Sequence, residues 1–241
     1  MMWFFIADLH LGHNNIIKYC RRPFMNSVES GLMELVDSGN IPIGDISISK
    51  ESTMRMDEHI INRINSVVSV NDNLVVVGDF CLAKSVGRID IIKSFRDRIN
   101  CKNIFLILGN HDDREASLGA FKCFDHYMFN VNGQKIFACH YPCRSWDRSA
   151  HGSWMVYGHV HGHFDRQDKT GLTIAQEENL VSDIMNITGD QSMCEKIVGA
   201  WKKNRQPLLT LDVGVDNPHP SGIFGTPWSF DDIKNYMSKM T

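Results

Sequence analysis

The sequence lacks the signatures of several protein classes. It carries 25 basic against 28 acidic residues, a formal net charge of −3, and no basic block stands out. The electrostatic footprint of a dedicated nucleic-acid-binding protein is therefore missing, although a nucleotide or a short oligonucleotide is not excluded as a substrate. No apolar run approaches the roughly 20 residues that a transmembrane helix needs, so no membrane partner is expected.

Cysteine is present in an odd number, seven, and never as a C-x-x-C pair. A secreted disulfide framework is therefore not expected, and the thiols are interpreted as reduced. The N-terminal apolar stretch MMWFFIA is short and has no basic residue before it, unlike a secretory signal peptide. These features predict a cytoplasmic protein.

Strand and helix patterns alternate in the first half of the chain. Three short apolar runs at 3–7, 73–78 and 103–109 are rich in β-branched or aromatic residues and predict buried strands. Apolar residues recur at helical spacing over 55–68 and again over 85–99. This alternation predicts an α/β fold with a parallel sheet.

The second half of the chain has a different pattern. An Asn-Gly pair opens an apolar strand within 131–141, which is a hairpin signal. Further strands are expected within 154–163 and 208–215. A C-terminal helix is expected after Ser229, which is a favourable N-cap residue.

Two segments fit this scheme poorly. Residues 25–52 mix Gly, Ser, Asp and isolated Ile without a clean period, so we interpret them as a surface insertion. Residues 165–207 are polar, with helical patterns near 175–187 and 191–203. The chain, residues 1–241, is predicted to be a single domain because no interdomain linker divides it.

Each of the first three predicted strands ends in a polar cluster. The clusters are Asp8-Leu9-His10, Gly78-Asp79-Phe80 and Gly109-Asn110-His111-Asp112. In open α/β sheets, ligands bind outside the carboxyl ends of the strands, so these clusters are expected to converge. Later strands add His140 and the pair His159 and His161. The alternate spacing of that pair predicts that both imidazoles lie on one face of a strand.

The candidate ligands share nitrogen and oxygen donors and include no thiolate: Asp8, His10, Asp79, Asn110, His140, His159 and His161. Such a set suits Mn, Fe, Zn or Ni better than a structural, cysteine-rich zinc site. Seven side chains are too many for one ion and match two ions about 3.5–4 Å apart that share a bridging carboxylate. Asp79, on the middle strand, is the expected bridge.

Several candidates also have a simpler structural interpretation. Asp8 alone could cap the following helix, and His140 alone could be a satisfied core histidine. The other motifs favour metal ligation for both residues. His13, Arg144 and Trp146 stay open between substrate binding and ordinary loop positions, since Arg suits phosphate and Trp suits base stacking.

The order and spacing of these motifs resemble the calcineurin-like metallophosphoesterases. D-x-H, GD, GNHD, an isolated His and GH-x-H follow one another between residues 5 and about 163. The flanking stretches LGHNNIIKYCRRPF and VGVD…PWSFDDI resemble a small bacterial and phage subgroup of phosphoesterases. One departure is Phe80-Cys81 after GD, where many members have a further Asp or Asn.

The resemblance implies a role for each residue. One metal ion would be held by Asp8, His10, Asp79 and His161, and the other by Asp79, Asn110, His140 and His159. His111 would face the substrate as a catalytic group, and Asp112 would orient it. The implied fold is an α/β four-layer α-β-β-α sandwich of two mixed sheets, with a dinuclear metal site at the strand C-terminal ends.

The implied activity is metal-dependent hydrolysis of a phosphate ester by a hydroxide that bridges the metals. The resemblance favours a phosphodiester of a small nucleotide-like substrate, with two divalent ions, Mn before Fe, Zn or Ni. The alternatives are a phosphomonoesterase or a nuclease acting on short nucleic acid. A non-catalytic scaffold of the same fold is more remote, because every expected position is filled.

Overall fold

Two β-sheets and the helices around them form this α/β chain. The computed structural model describes residues 1–82, 87–163, 174–203 and 209–240, and for 174–178 and 200–203 it describes the backbone. The strands are β1 (Trp3–Ile6), β2 (Asn73–Val77), β3 (Asn103–Ile107), β4 (Lys122–Phe124), β5 (His126–Val131), β6 (Gln134–Cys139), β7 (Trp154–Tyr157), β8 (Thr210–Asp212) and β9 (Trp228–Ser229). The α-helices are α1 (Asn14–Tyr19), α2 (Ser27–Asp37), α3 (Lys50–Val67), α4 (Arg88–Arg96), α5 (Arg114–Leu118), α6 (Ile174–Thr188), α7 (Gln191–Lys203) and α8 (Phe230–Ser238).

The first sheet has the strand order β4-β3-β2-β1-β9. β1 to β4 are parallel, and β9 runs antiparallel to β1. The three apolar runs of the first half therefore form neighbouring parallel strands, as predicted. Every residue of β2 is buried because both faces of this strand are covered.

The second sheet has the order β5-β6-β7-β8. β5 and β6 are an antiparallel hairpin, whereas β6, β7 and β8 are parallel. Asn132 and Gly133 form the hairpin turn with φ values of 51° and 87°, the left-handed pair that a two-residue hairpin loop requires. The sheet is thus mixed, and the hairpin prediction is confirmed.

The core forms two apolar layers on opposite faces of the first sheet. Alternate residues of β1 and β2 point to opposite sides. One side meets the second sheet through Phe5, Val75, Val77, Ile136, Val156 and Leu211. The other side meets the helices through Phe4, Ile6, Leu74, Val76, Met56 and Ile60. The first sheet is therefore covered by helices on one face and by the second sheet on the other.

Most of residues 25–52, the predicted surface insertion, are exposed, and a few of them pack against the core. Helix α2 begins with a capping box between Asn26 and Glu29. Met33 and Ile48 are buried in the layer between the helices and the first sheet. The hydrophobic period is unclear because these core contacts come from one face of a short helix and from isolated residues of an irregular segment.

Helices α4, α6, α7 and α8 follow their predicted patterns, whereas α1 and α5 were not predicted. α6 and α7 match the two helical stretches within 165–207, whose residues 165–173 and 204–207 lie outside the described residues. α4 begins at Arg88, and residues 85–86 of its predicted range are likewise outside. α8 begins after Ser229, as expected. Within the described ranges, no helix is both long and apolar enough to cross a membrane.

Candidate metal centre

The predicted clusters meet at the carboxyl ends of strands from both sheets. Asp8, Asp79 and Asn110 follow β1, β2 and β3 of the first sheet, and His140 and His159 follow β6 and β7 of the second. A parallel bridge between Ala7 and Gly214 joins the two sheets at this edge. The two sheets thereby place polar groups from distant parts of the sequence around one small volume.

Asp79 lies at the centre of this volume. Its Oδ2 atom is 3.4 Å from His10 Nε2 and 3.5 Å from His140 Nε2. Its Oδ1 atom accepts a hydrogen bond from the backbone N–H of His111, at 2.9 Å. One carboxylate oxygen is therefore fixed by the backbone, and the other lies between imidazoles that come from the two sheets.

One half of the site is formed by Asp8, His10 and His161, whose ligand atoms lie within 4.8 Å of one another. His10 is buried, and among the described residues neither of its ring nitrogens makes a hydrogen bond. Leaving a buried polar atom without a partner is costly, and a neutral imidazole nitrogen is a common metal ligand. The surroundings of His10 therefore fit a bound cation.

The other half is formed around Asn110. Its Oδ1 atom is 3.1 Å from His140 Nε2 and 3.0 Å from His159 Nδ1. His140 Nδ1 lies 2.9 Å from the carbonyl oxygen of Val77. Nδ1–H donates to this carbonyl, which leaves the Nε2 lone pair directed at Asp79 and Asn110. Asn110 and His159 are exposed, so this half opens to solvent.

The backbone at the site is unusual. Eight non-glycine residues of the described chain have positive φ, and five of them are predicted ligands: Asp8 (58°), His10 (51°), Asp79 (56°), His159 (73°) and His161 (49°). Such conformations are disfavoured and gather at functional sites. They also correct the prediction that His159 and His161 share a face of a strand, because β7 ends at Tyr157 and both histidines lie in the loop that follows.

Two glycines provide the space that the ligand side chains occupy. A Cβ atom on Gly78 would lie 2.1 Å from His140 Nδ1, and one on Gly109 would lie 2.2 Å from Asp79 Oδ1. Neither distance is compatible with a real side chain. The glycines of the GD and GNHD motifs are therefore needed so that the backbone can approach the side chains of His140 and Asp79.

Asp112 differs from its expected role. Its carboxylate accepts hydrogen bonds from the backbone N–H groups of Gly109 at 2.9 Å, Asp79 at 2.8 Å and Phe80 at 3.0 Å. Within the described part of the chain, none of its hydrogen bonds goes to the side chain of His111. Asp112 instead connects the loop after β3 to the loop after β2, because its carboxylate accepts from backbone N–H groups of both loops.

His111 and His13 both lie beside the His10 half of the site. The ring centroid of His111 is 5.2 Å from that of His10 and 6.0 Å from that of His13. The ring centroids of His13 and His10 are 5.4 Å apart. The structure thus brings His13 to the site, and both rings are only half-buried.

Trp146 has a structural position instead of the substrate contact considered for it. Its ring is buried with Met155 and Tyr157, and its indole N–H donates to Ser153 Oγ at 2.9 Å. A buried ring with a satisfied N–H is not available for base stacking. Arg144 is exposed on the same loop.

Burial sets the direction of the pKa shift for several groups of the site. It raises the pKa of Asp8 and Asp212 and lowers the pKa of His10 and His140. These are the directions that a low-dielectric environment imposes on acids and bases. A divalent cation at the site would favour the ionised carboxylates and the neutral imidazoles.

Sequence reasoning missed an ion pair that contacts the site. Arg22 is buried and pairs with Asp216, with Nη2 and Oδ2 2.7 Å apart. The same Oδ2 atom is 2.7 Å from His161 Nδ1. Burial alone would lower the pKa of His161, but the hydrogen bond to Asp216 and the charge of Asp8 contribute to raising it to about 10. The available signal was that Arg22 and Asp216 lie in the two flanking motifs, RRPF and VGVD.

Comparison with known proteins gives one similar sequence and one similar structure, and the names of both proteins state no activity. No protein-family profile matches it. An uncharacterized protein of Methanocaldococcus jannaschii is 29% identical over 165 residues, which cover 67% of this chain and 71% of that protein. The crystal structure of a protein of unknown function from Aquifex aeolicus has a TM-score of 0.54 at 17% identity and covers 98% of both chains. This last likeness shows a shared fold.

Proposed function

We propose that this protein is a calcineurin-like metallophosphoesterase that hydrolyses a phosphate ester with two divalent metal ions. The observation that carries the proposal is the position of Asp79 Oδ2, 3.4 Å from His10 Nε2 and 3.5 Å from His140 Nε2. A carboxylate between two separate ligand groups is the arrangement that two neighbouring ions require. The proposal extends to a four-layer sandwich, with a helical layer over the second sheet.

The donor atoms of the site divide into two sets around Asp79. The sets are Asp8, His10, Asp79 and His161, and Asp79, Asn110, His140 and His159. Both contain nitrogen and oxygen donors, which suit Mn, Fe, Zn or Ni. The preference for Mn among these ions rests on the family resemblance. When bound, two such cations supply a water of lowered pKa and neutralise charge on phosphoryl oxygens.

His111 is the proposed general acid. Its backbone N–H donates to Asp79 Oδ1 at 2.9 Å, so its position is fixed relative to the bridging carboxylate. Its half-exposed ring donates a proton to the leaving oxygen of the ester. Asp112 holds the loop that carries His111 through its hydrogen bonds to Gly109 and Asp79.

The proposed substrate is a small phosphodiester, such as a nucleotide derivative. Asn110 and His159 are exposed, so the Asn110 half of the site is reachable from solvent. The net charge of −3 is not suited to holding a long nucleic acid by its backbone. The preference for a diester over a monoester rests on the family resemblance.

One substrate panel tests the proposal. Bis- and mono-p-nitrophenyl phosphate, 2′,3′- and 3′,5′-cyclic nucleotides and a short oligonucleotide are each incubated with Mn, Ni, Zn or Mg. We expect Mn-dependent hydrolysis with the diester preferred, and its loss in Asp79→Asn. The matched control is Asp125→Asn, which changes an exposed carboxylate paired with Arg114. A folded wild-type protein that hydrolyses nothing with any ion refutes the activity, whereas hydrolysis of monoesters alone refutes only the diester preference.

A further inference from the structure

A buried ion pair joins two distant sequence motifs behind one half of the metal centre. Arg22 and Asp216 are 194 residues apart in sequence, in RRPF and VGVD respectively. We propose that they are positioning residues that hold Asp8, His10 and His161 in the geometry that binds one of the two ions. This inference rests on the proposed function.

Arg22 uses its guanidinium group to hold three different groups. Nε donates to Asp216 Oδ1 at 2.9 Å and Nη2 to Oδ2 at 2.7 Å, a bidentate pair. Nη1 donates to the carbonyl of Leu9 at 3.0 Å, and Nη2 also donates to the carbonyl of Asp8 at 2.7 Å. The Arg22 side chain is 0% exposed, so water does not compete for these contacts.

The two carbonyls belong to the turn that presents the ligands. Asp8 and His10 both have left-handed φ values, 58° and 51°. A backbone in this conformation persists only where its surroundings determine it, and its buried carbonyls need donors. Arg22 supplies both donors, so it stabilises the turn that directs Asp8 and His10 into the site.

Asp216 holds the side chain of His161 in place. Its Oδ2 atom accepts from His161 Nδ1 at 2.7 Å, which leaves Nε2 as the ring nitrogen for a cation shared with Asp8 and His10. His161 lies in a loop, with φ of 49°, so no strand holds its ring in place. The hydrogen bond that His161 donates to Asp216 therefore fixes both the tautomer and the orientation of this imidazole.

A metal ion bound directly at Asp216 is a poorer explanation of this cluster. Cys20, His161 and Asp216 also place ligand atoms within 4.8 Å of one another. Arg22, however, already donates to both carboxylate oxygens of Asp216. A guanidinium is permanently charged, so a cation beside it would be repelled.

The other half of the site is held differently. The orienting contact of His140 is the carbonyl of Val77, and that of the Asn110 loop is the carboxylate of Asp112. Neither contact involves Arg22 or Asp216. Removal of the ion pair should therefore weaken the binding of one ion and leave the binding of the other unchanged.

Calorimetric titration of metal-stripped protein with Mn²⁺ tests this selectivity. Asp216→Asn and Arg22→Lys should each bind one ion with wild-type affinity and the second about 10–100-fold more weakly, the range found when orienting partners of metal ligands are removed. The control is Asp37→Asn, which breaks the exposed ion pair of the neighbouring Arg21 and should bind two ions normally. Circular dichroism of the stripped proteins checks that each is folded.

The outcomes separate this inference from the proposed function. Two ions bound with wild-type affinity by both folded variants would overturn the positioning role and leave the phosphoesterase proposal standing. An equal loss of affinity for both ions, or failure of both variants to fold, would also overturn the positioning role, because the pair of Arg22 and Asp216 would then stabilise the whole fold. A wild-type protein that binds no ion would refute the dinuclear site itself.

Discussion

Gly109 shows how little space the site leaves around its central carboxylate. A Cβ atom there would lie 2.2 Å from Asp79 Oδ1 and 2.7 Å from the Asp79 backbone nitrogen. We predict that Gly109→Ala displaces Asp79 and weakens Mn²⁺ binding by at least tenfold, measured by calorimetric titration. Gly31→Ala is the control, since nothing lies within 4 Å of its added methyl group. Unchanged affinity in Gly109→Ala would show that Asp79 does not need its observed position.

A substitution at His111 tests the proposed chemistry separately from metal binding. Its ring lies beside His10, at a centroid distance of 5.2 Å, but no metal set includes it. His111→Ala should therefore keep both ions and lower kcat by about 10²–10⁴-fold, the usual contribution of a general acid. His126→Ala, at an exposed position on β5, should leave kcat unchanged. Wild-type turnover in His111→Ala, or loss of an ion, would contradict the assigned role.

At the scale of elements, Glu29 joins the N-termini of two helices. Its carboxylate accepts from the backbone N–H groups of Asn26 at 2.8 Å and Ser49 at 2.6 Å, and from the Ser52 hydroxyl at 2.6 Å. Burial alone would raise the pKa of Glu29, but these hydrogen bonds lower it to about 2. The ionised carboxylate therefore connects α2 to α3.

This contact predicts a dependence of stability on pH. The pKa of Glu29 is about 2 when folded and about 4.3 when unfolded. The folded state then binds fewer protons, so the stabilisation is complete above about pH 4.3 and is lost as pH falls toward 2. Glu29→Gln should lose about 2 kcal/mol at pH 7 and show a smaller further loss in acid.

Urea unfolding at pH 7 and pH 3 measures both effects. Glu34→Gln is the control, because Glu34 lies on the exposed side of the same helix. An identical midpoint for Glu29→Gln and wild type at pH 7 would mean that the connection between the two helices does not contribute to stability.

The elements that sequence reasoning predicted best are those with strong local signals. β1, β2 and β3 are short apolar runs that end at Gly, Asp or Asn, and the hairpin follows an Asn-Gly pair. The core contacts of residues 25–52 could not be predicted, because Met33 and Ile48 reach the core one at a time, without a period. His159 and His161 were assigned to a strand because their alternation is typical of one, whereas left-handed φ values end it.

For the candidate site, the convergence of the proposed ligands could be predicted, but the tertiary contacts around them could not. Its proposed ligands follow strands whose ends must meet, so their convergence follows from the topology. The two flanking motifs single out the stretches that hold Arg22 and Asp216, but the pairing of these two residues could not be predicted, because they are 194 positions apart. Trp146 could not be assigned either, since burial in a small cluster is a tertiary property.

At the scale of the whole molecule, the site connects the two sheets. Asp8 follows a strand of the first sheet, and its carboxylate accepts from the backbone N–H of His159, which follows a strand of the second, at 2.9 Å. Ions that bind only the folded state should therefore stabilise the entire chain. We predict that EDTA lowers Tm, because saturation at 100 times Kd contributes about 2.7 kcal/mol per site.

Differential scanning calorimetry with Mn²⁺ and with EDTA measures this effect. Asp79→Asn should have the same Tm under both conditions, since it lacks the proposed bridge. A wild-type Tm that does not respond to the ion would argue against tight binding anywhere in the fold.

The most direct test of the dinuclear site is an anomalous difference map from crystals soaked in Mn²⁺. Two peaks about 3.5–4 Å apart are predicted, one on each side of the carboxylate of Asp79. One peak should contact His10 and the other His140. A single peak, a pair of peaks elsewhere, or an empty map at full soaking concentration would contradict the proposed function.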